Sequence, residues 1–173
     1  AVPAEIEAMV GLVEEGLQDG AVGVSTGLVY SPVCFAEEDE LVALGRTVAA
    51  YDRLFAWHVR DYTDHLLESV AQCLRVARET GCRTQVSHLA SVGRRNWGRV
   101  EEALAMVDAA RADGLDVGVD IYPYLAGNAP LAQAVPADLQ AGGDDALRER
   151  LLEPETVRTL TTEWAHRAVG WDE

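Results

Sequence analysis

Cysteines are few in this chain, basic residues are outnumbered and long apolar runs are missing, and each scarcity closes off a class of function. Cys34, Cys73 and Cys82 are an odd count without paired spacing. They read as reduced thiols of a cytoplasmic protein and not as a disulfide framework. Against 29 Asp and Glu there are 14 Lys and Arg, a net charge of −15. Such a surface repels phosphate backbones, so nucleic acid is excluded as a partner. No apolar run approaches the ~20 residues that span a bilayer, so no membrane partner is expected. No basic segment followed by an apolar stretch marks a signal peptide. The first residue is Ala1 and not Met, and the expectation is a processed chain or an excised piece. What is present is an ordinary globular composition, 49% hydrophobic and 25% charged over 173 residues, enough for one domain with a real core.

Hydrophobic periodicity divides the chain into alternating helices and strands. Residues 3–19 carry Ile6, Met9, Val10, Val13 and Leu17 at helical spacing, with Pro3 suited to the first turn and Gly20 to the stop. Strands are predicted at 21–25, 54–58, 83–87 and 115–120, and further helices at 37–50, 64–80 and 98–113. Each strand is apolar on both faces or nearly so, as expected of a parallel sheet covered by helices. Four βα units are visible, too few for a closed (β/α)₈ barrel of roughly 250 residues. After Tyr124 the pattern changes: residues 125–143 are rich in Ala, Gly and Pro without a clear period and read as a long loop or lid. Two short helices follow, near 144–152 and 154–166. The division is therefore 1–124, a parallel βα segment, and 125–173, a lid-like insertion.

Four polar residues close the predicted strands at intervals of 33, 30 and 32: Ser25, His58, His88 and Asp120. The carboxyl ends of parallel strands line the functional crevice of α/β folds. His58 and His88 sit one βα unit apart, so two neutral imidazoles on a rigid rim are half of a zinc shell, the alternative being hydrogen-bonded structural histidines. His65, at a helix start, and His166, beyond the repeats, read as surface residues. Asp120 reads as a metal ligand, a holder of an imidazole or a structural acceptor. Ser25 reads as a turn hydroxyl, because no Gly-x-Ser-x-Gly elbow surrounds it. Arg60 reads as a bidentate clamp on a substrate carboxylate or as a rim salt bridge. Tyr122 and Tyr124 read as phenols for a carbonyl oxygen or as packed loop aromatics. Cys34, a soft ligand in principle, stands alone in a loop.

Five motifs in register carry a family resemblance over roughly residues 1–165. Ser-Thr-Gly-Leu-Val-Tyr-Ser-Pro (25–32), His-Val-Arg-Asp (58–61), Gln-Val-Ser-His-Leu (85–89), Asn-Trp-Gly (96–98) and Asp-Ile-Tyr-Pro-Tyr (120–124) resemble the N-acyl-D-amino-acid deacylases, or D-aminoacylases, of the amidohydrolase superfamily. The resemblance implies a zinc-dependent hydrolase on a (β/α)₈ TIM-type barrel, releasing a D-amino acid from an N-acyl-D-amino acid. It implies that His58 and His88 bind zinc, which supplies nucleophile and Lewis acid, and that Tyr124 or its neighbour, with a residue just after His88, helps hold substrate. Ser25, Arg60, Tyr122 and Tyr124 are taken together as the substrate-binding residues.

The departures are as informative. The family's His-x-His pair, its bridging Cys or Glu and its proton-shuttle Asp have no counterpart in these residues. Ala90 stands where the family often has Lys, and the family often has Glu near Tyr62. No catalytic residue is therefore assigned within this chain, the shuttle Asp being expected downstream. The reading is the middle of a deacylase, inactive alone, whose unpaired sheet edges favour self-association. The alternative is a non-catalytic α/β domain that keeps this fold for binding or assembly.

Overall fold

The computed structural model describes residues 1–124, 126–131 and 135–167. Helix α1 (Pro3–Gln18) starts after Val2, whose N–H is accepted by the Glu5 carboxylate at 2.8 Å. Its predicted stripe is real: Ile6, Met9, Val10 and Val13 are half-buried and Leu17 is buried, packed on α2 (Glu38–Ala50). Helix α3 (Leu66–Thr80) ends at Gly81, whose φ of 69° is a left-handed stop. Helix α4 (Arg99–Ala112) completes the layer, meeting it through the small or branched Ala103, Val107 and Ala110.

Under these helices lie β1 (Gly23–Gly27), β2 (Leu54–His58), β3 (Arg83–Val86) and β4 (Val117–Val119), all parallel and in that order. The core is the helix-covered face: Phe55, Trp57, Val86 and Val117 are buried with Leu66, Val70, Leu74 and Val107, and Val24 and Val119 pack against them. Successive strand residues alternate faces. The opposite face is therefore Ser25, Ala56, His58, Gln85 and Gly118, none of which belongs to the core cluster. Here the structure differs from the expectation of strands apolar on both faces. The helices cover one face, and the other is lined by small and polar side chains, with Leu54 at the start of β2.

Strand positions also differ in detail. Strand β1 runs 23–27 and not 21–25, because Ala21 N–H bonds Gly16 O and so closes α1. Gly23 then lies against Leu54 so closely that a Cβ there would collide with its carbonyl oxygen. Strand β4 starts at Val117 because Leu115 N–H is taken by Ala110 O at the end of α4. Within the stretch read as a loop, α5 (Ala137–Gln140) follows Pro136; after it come the two expected short helices, α6 (Gly143–Leu152) and α7 (Pro154–Arg167), packed in sequence. The side chain of His166 lies outside the described residues.

Candidate metal centre

His58 is the last residue of β2, and its ring centroid is 4.5 Å from that of His88, two residues beyond β3. Three tyrosines surround the pair. Tyr30 lies 4.9 Å from His58, Tyr62 5.0 Å from each imidazole, and Tyr122 6.2 Å from His88. Burial, with a smaller contribution from His88, pushes the His58 pKa down to about 4, so the ring is neutral at physiological pH. Its Nε2 is buried and has no hydrogen-bond partner among the described residues. A buried ring nitrogen without a partner is costly. In a neutral imidazole beside a second one, it is also what a zinc ion coordinates. The two histidines thus fit the metal as a partial donor set. Among the described residues no group of three or more His, Cys, Asp or Glu is placed to hold an ion.

The parallel ladder opens where the histidines sit, and side chains stitch it. Trp57 O accepts Ser87 N–H at 2.9 Å, and the next ladder bond between β2 and β3 would join Val59 N–H to Ser87 O. The Tyr62 hydroxyl is inserted there instead. It accepts from Val59 N–H at 3.0 Å and donates to Ser87 O at 3.1 Å. Burial raises the phenol's pKa, so the donor proton is retained. On the other side of β3, the Asp120 carboxylate accepts the His88 backbone N–H at 2.6 Å and Gln85 Nε2 at 2.7 Å. Of the three readings of Asp120, the structural acceptor matches this placement. Its contact is with the main chain of His88.

The remaining predicted site residues are dispersed around this centre. Gly27, and not Ser25, lies level with His58; Ser25 pairs with Ala56, two residues deeper on the same face. The two-residue shift of β1 is the reason. Arg60 donates from Nη1 to Cys34 O at 2.7 Å, from Nη2 to Ala36 O and from Nε to Gln72 Oε1 at 2.8 Å. Its fork holds the helical turn Val33–Phe35, which follows Pro32. Tyr122 borders His88, whereas Tyr124 is 74% exposed. His65 is exposed beside Glu68, and burial raises the Cys34 thiol, as the surface and isolated readings expect. All 14 basic residues are arginine, so no lysine of this chain replaces the one absent at Ala90.

Tyr30, Tyr62 and Gln85 were given no role by the sequence. Gln85 carried a usable signal, since an amide in the middle of Thr-Gln-Val needs a hydrogen-bonding partner. The two tyrosines lie in loops, where nothing in the local sequence fixes their direction.

No family model matches the chain. An N-acyl-D-glutamate deacylase of Alcaligenes xylosoxydans xylosoxydans is 44% identical over 120 residues, 69% of this chain and 25% of that protein. The crystal structure of N-acyl-D-glutamate deacylase from Bordetella bronchiseptica, complexed with zinc and a phosphonate mimic of the tetrahedral intermediate, superposes with a TM-score of 0.71 at 42% identity, over 72% of this chain and 26% of that one. A D-aminoacylase that defines a novel subset of amidohydrolases superposes with a TM-score of 0.70 at 36% identity, over 73% and 27%. The chain spans about a quarter of the length of the curated relatives it matches.

Proposed function

We propose, from its likeness to N-acyl-D-glutamate deacylase and D-aminoacylase, that this chain is part of an N-acyl-D-amino-acid deacylase of the amidohydrolase type. It serves the zinc-dependent hydrolysis of an N-acyl-D-amino acid, contributing two metal-binding imidazoles and part of the substrate wall. The observation that carries the reading is the His58–His88 pair, with rings 4.5 Å apart and the buried His58 Nε2 unpaired. When bound, zinc supplies Lewis acidity toward the amide carbonyl and lowers the pKa of water. The chain's own residues hold and enclose that centre. His58 and His88 are the ligands, and the rings of Tyr30, Tyr62 and Tyr122 keep solvent from their flanks. Ser25, Tyr122 and Tyr124 are assigned to the substrate wall, with Arg60 shaping it through the turn at Val33–Phe35. Asp120 is engaged with His88 and Gln85, so proton transfer is assigned to a carboxylate outside these residues.

Segment 1–124 is read as part of the barrel and 125–173 as a lid insertion, supported by the short helices α5 to α7. The three free thiols fit a reducing cytoplasm. No helix among the described residues is long and apolar enough to cross a membrane. Self-association through the edges of β1 and β4 is part of the reading.

Zinc content after dialysis tests the assignment. The double variant His58→Ala/His88→Ala should retain none of the bound zinc, and each single variant should lose most of it, since one imidazole cannot hold the ion. Unchanged zinc in the double variant sinks the assignment. A second reading, a non-catalytic binding or assembly domain, is favoured by the incomplete donor set. The genomic sequence around this chain separates the two: an upstream strand ending in His-x-His and a downstream strand-end Asp belong to the enzyme alone.

A further inference from the structure

We propose that Asp120, tethered by Gln85 across Gly118, is a positioning residue that aims the His88 imidazole at His58 by holding a one-residue bulge in the main chain. The proposal rests on the reading of His58 and His88 as metal ligands. Its starting point is the hydrogen-bond ladder between β3 and β4. Thr84 N–H bonds Asp116 O at 2.9 Å, and Asp120 N–H bonds Val86 O at 3.2 Å, in the regular parallel pattern. Continued two residues further, that pattern requires the His88 N–H to reach Asp120 O. Leu89 N–H takes that acceptor instead, at 2.8 Å. One residue is therefore extra, and it is His88, with φ at 39°. A bulge re-aims the side chain it carries. A left-handed histidine persists only where its surroundings compensate for the strain.

The compensation is the Asp120 carboxylate. Oδ1 accepts the His88 N–H that the bulge leaves without a ladder partner, at 2.6 Å, and Oδ2 accepts Gln85 Nε2 at 2.7 Å. With its main-chain N–H and C=O bonded to Val86 and Leu89, Asp120 grips residues 86–89 at three points. Gln85 lies opposite Gly118 in the ladder, and a Cβ at Gly118 would collide with Gln85 Oε1. The glycine is the space through which the amide reaches Asp120. The hydrogen bonds of the Asp120 carboxylate go to the His88 main chain and to Gln85, so Asp120 acts through backbone geometry, and the result is the 4.5 Å approach of the two rings.

The test measures zinc affinity of the full 173-residue chain by competition with a chromophoric chelator, and hydrogen exchange of the His88 amide in the zinc-free protein. Asp120→Ala should weaken zinc binding about 10–100-fold, the range for groups that orient metal ligands, and should speed exchange at His88. Asp120→Asn keeps an acceptor oxygen and should recover most of both. Gln85→Leu leaves the carboxylate but removes its tether, and should fall between. Wild-type affinity in Asp120→Ala overturns the proposal. So does equal loss in the Asn and Ala variants with His88 exchange unchanged, which makes the carboxylate a ligand itself. If circular dichroism shows Asp120→Ala unfolded, Gln85→Leu decides, wild-type affinity and exchange there being the overturning result. His58→Ala separates the two readings: full zinc binding in that variant removes the metal assignment. The His88 amide still judges the bulge, since slow exchange in folded Asp120→Ala overturns it whatever the metal does.

Discussion

His58 is held neutral by its surroundings, and this makes the stability of the metal-free chain depend on pH in one direction. Its pKa is about 4 in the fold against 6.5 for an ordinary histidine, burial being the main cause. Below 6.5 the unfolded chain binds a proton that the folded chain refuses, so protons favour unfolding. The contribution is complete above 6.5 and is lost as pH falls towards about 4. Urea midpoints taken with chelator present should therefore drop between about pH 7.5 and about pH 5, and His58→Gln should flatten that drop. The same slope in both proteins would take His58 out of the account. Tyr62 supports a second expectation. Tyr62→Phe removes the hydroxyl between Val59 N–H and Ser87 O and leaves both unpaired, at about 1–3 kcal/mol. A loss below about 0.5 kcal/mol in denaturant titration would show that water replaces the phenol. The two histidines were legible in the sequence because each closes a predicted strand, one βα unit apart. The bulge at His88 was not, because its cause is a carboxylate 32 residues downstream.

Among the elements, the helices were legible and the strand ends less so, for a common reason. Helical spacing puts Leu67, Val70, Ala71, Leu74 and Ala77 on the buried stripe of α3. The structure buries Val70, Leu74 and Ala77, leaves Leu67 and Ala71 half-buried and adds Leu66, which is 0% exposed, whereas Leu12 on α1 is 68% exposed. Leu66→Ala should cost about 2–5 kcal/mol by transfer and cavity formation. Leu12→Ala should stay within about 0.5 kcal/mol. Comparable losses in thermal or urea unfolding would mean that α1 buries Leu12 against something in solution. A strand has no such stripe. The apolar run Ala-Val-Gly-Val reads as β1 from position 21, yet hydrogen bonding at the end of α1 claims Ala21 and pushes the strand two residues on. That shift lowers Ser25 from the rim to the level of Ala56. The one-sided sheet was hidden similarly: Gly and Ala count as apolar in a pattern, whereas Ser25, Ala56, Gln85 and Gly118 form an open, small-residue face. The pairs Arg75–Glu38 and Arg46–Glu79 link α2 to α3 at exposed positions and add little beyond the packing.

At the scale of the molecule, helices cover one face of the sheet and polar residues line the other, and among the described residues β1 and β4 are each paired on a single side. Unpaired parallel edges are templates for further pairing. The chain should therefore self-associate or melt low; a sharp monomer by light scattering with a cooperative transition above ~60 °C would contradict this. The same incompleteness governs activity. Hydrolysis of an N-acyl-D-amino acid needs a metal held by more than two imidazoles and a carboxylate free to carry a proton, and Asp120 is committed to the His88 bulge. Proton transfer alone is worth about 10²–10⁴ in rate, and a loosely held metal removes more. Residues 1–173 by themselves should show no measurable release of free amine from N-acetyl-D-amino acids over hours, with zinc added and the L-enantiomers as control. Turnover should appear only when the remaining strands of a deacylase are supplied, in one polypeptide or by mixing. Robust D-selective hydrolysis by the chain alone would mean that copies complete one another's site across the open edges, and light scattering of the active species would then show an oligomer.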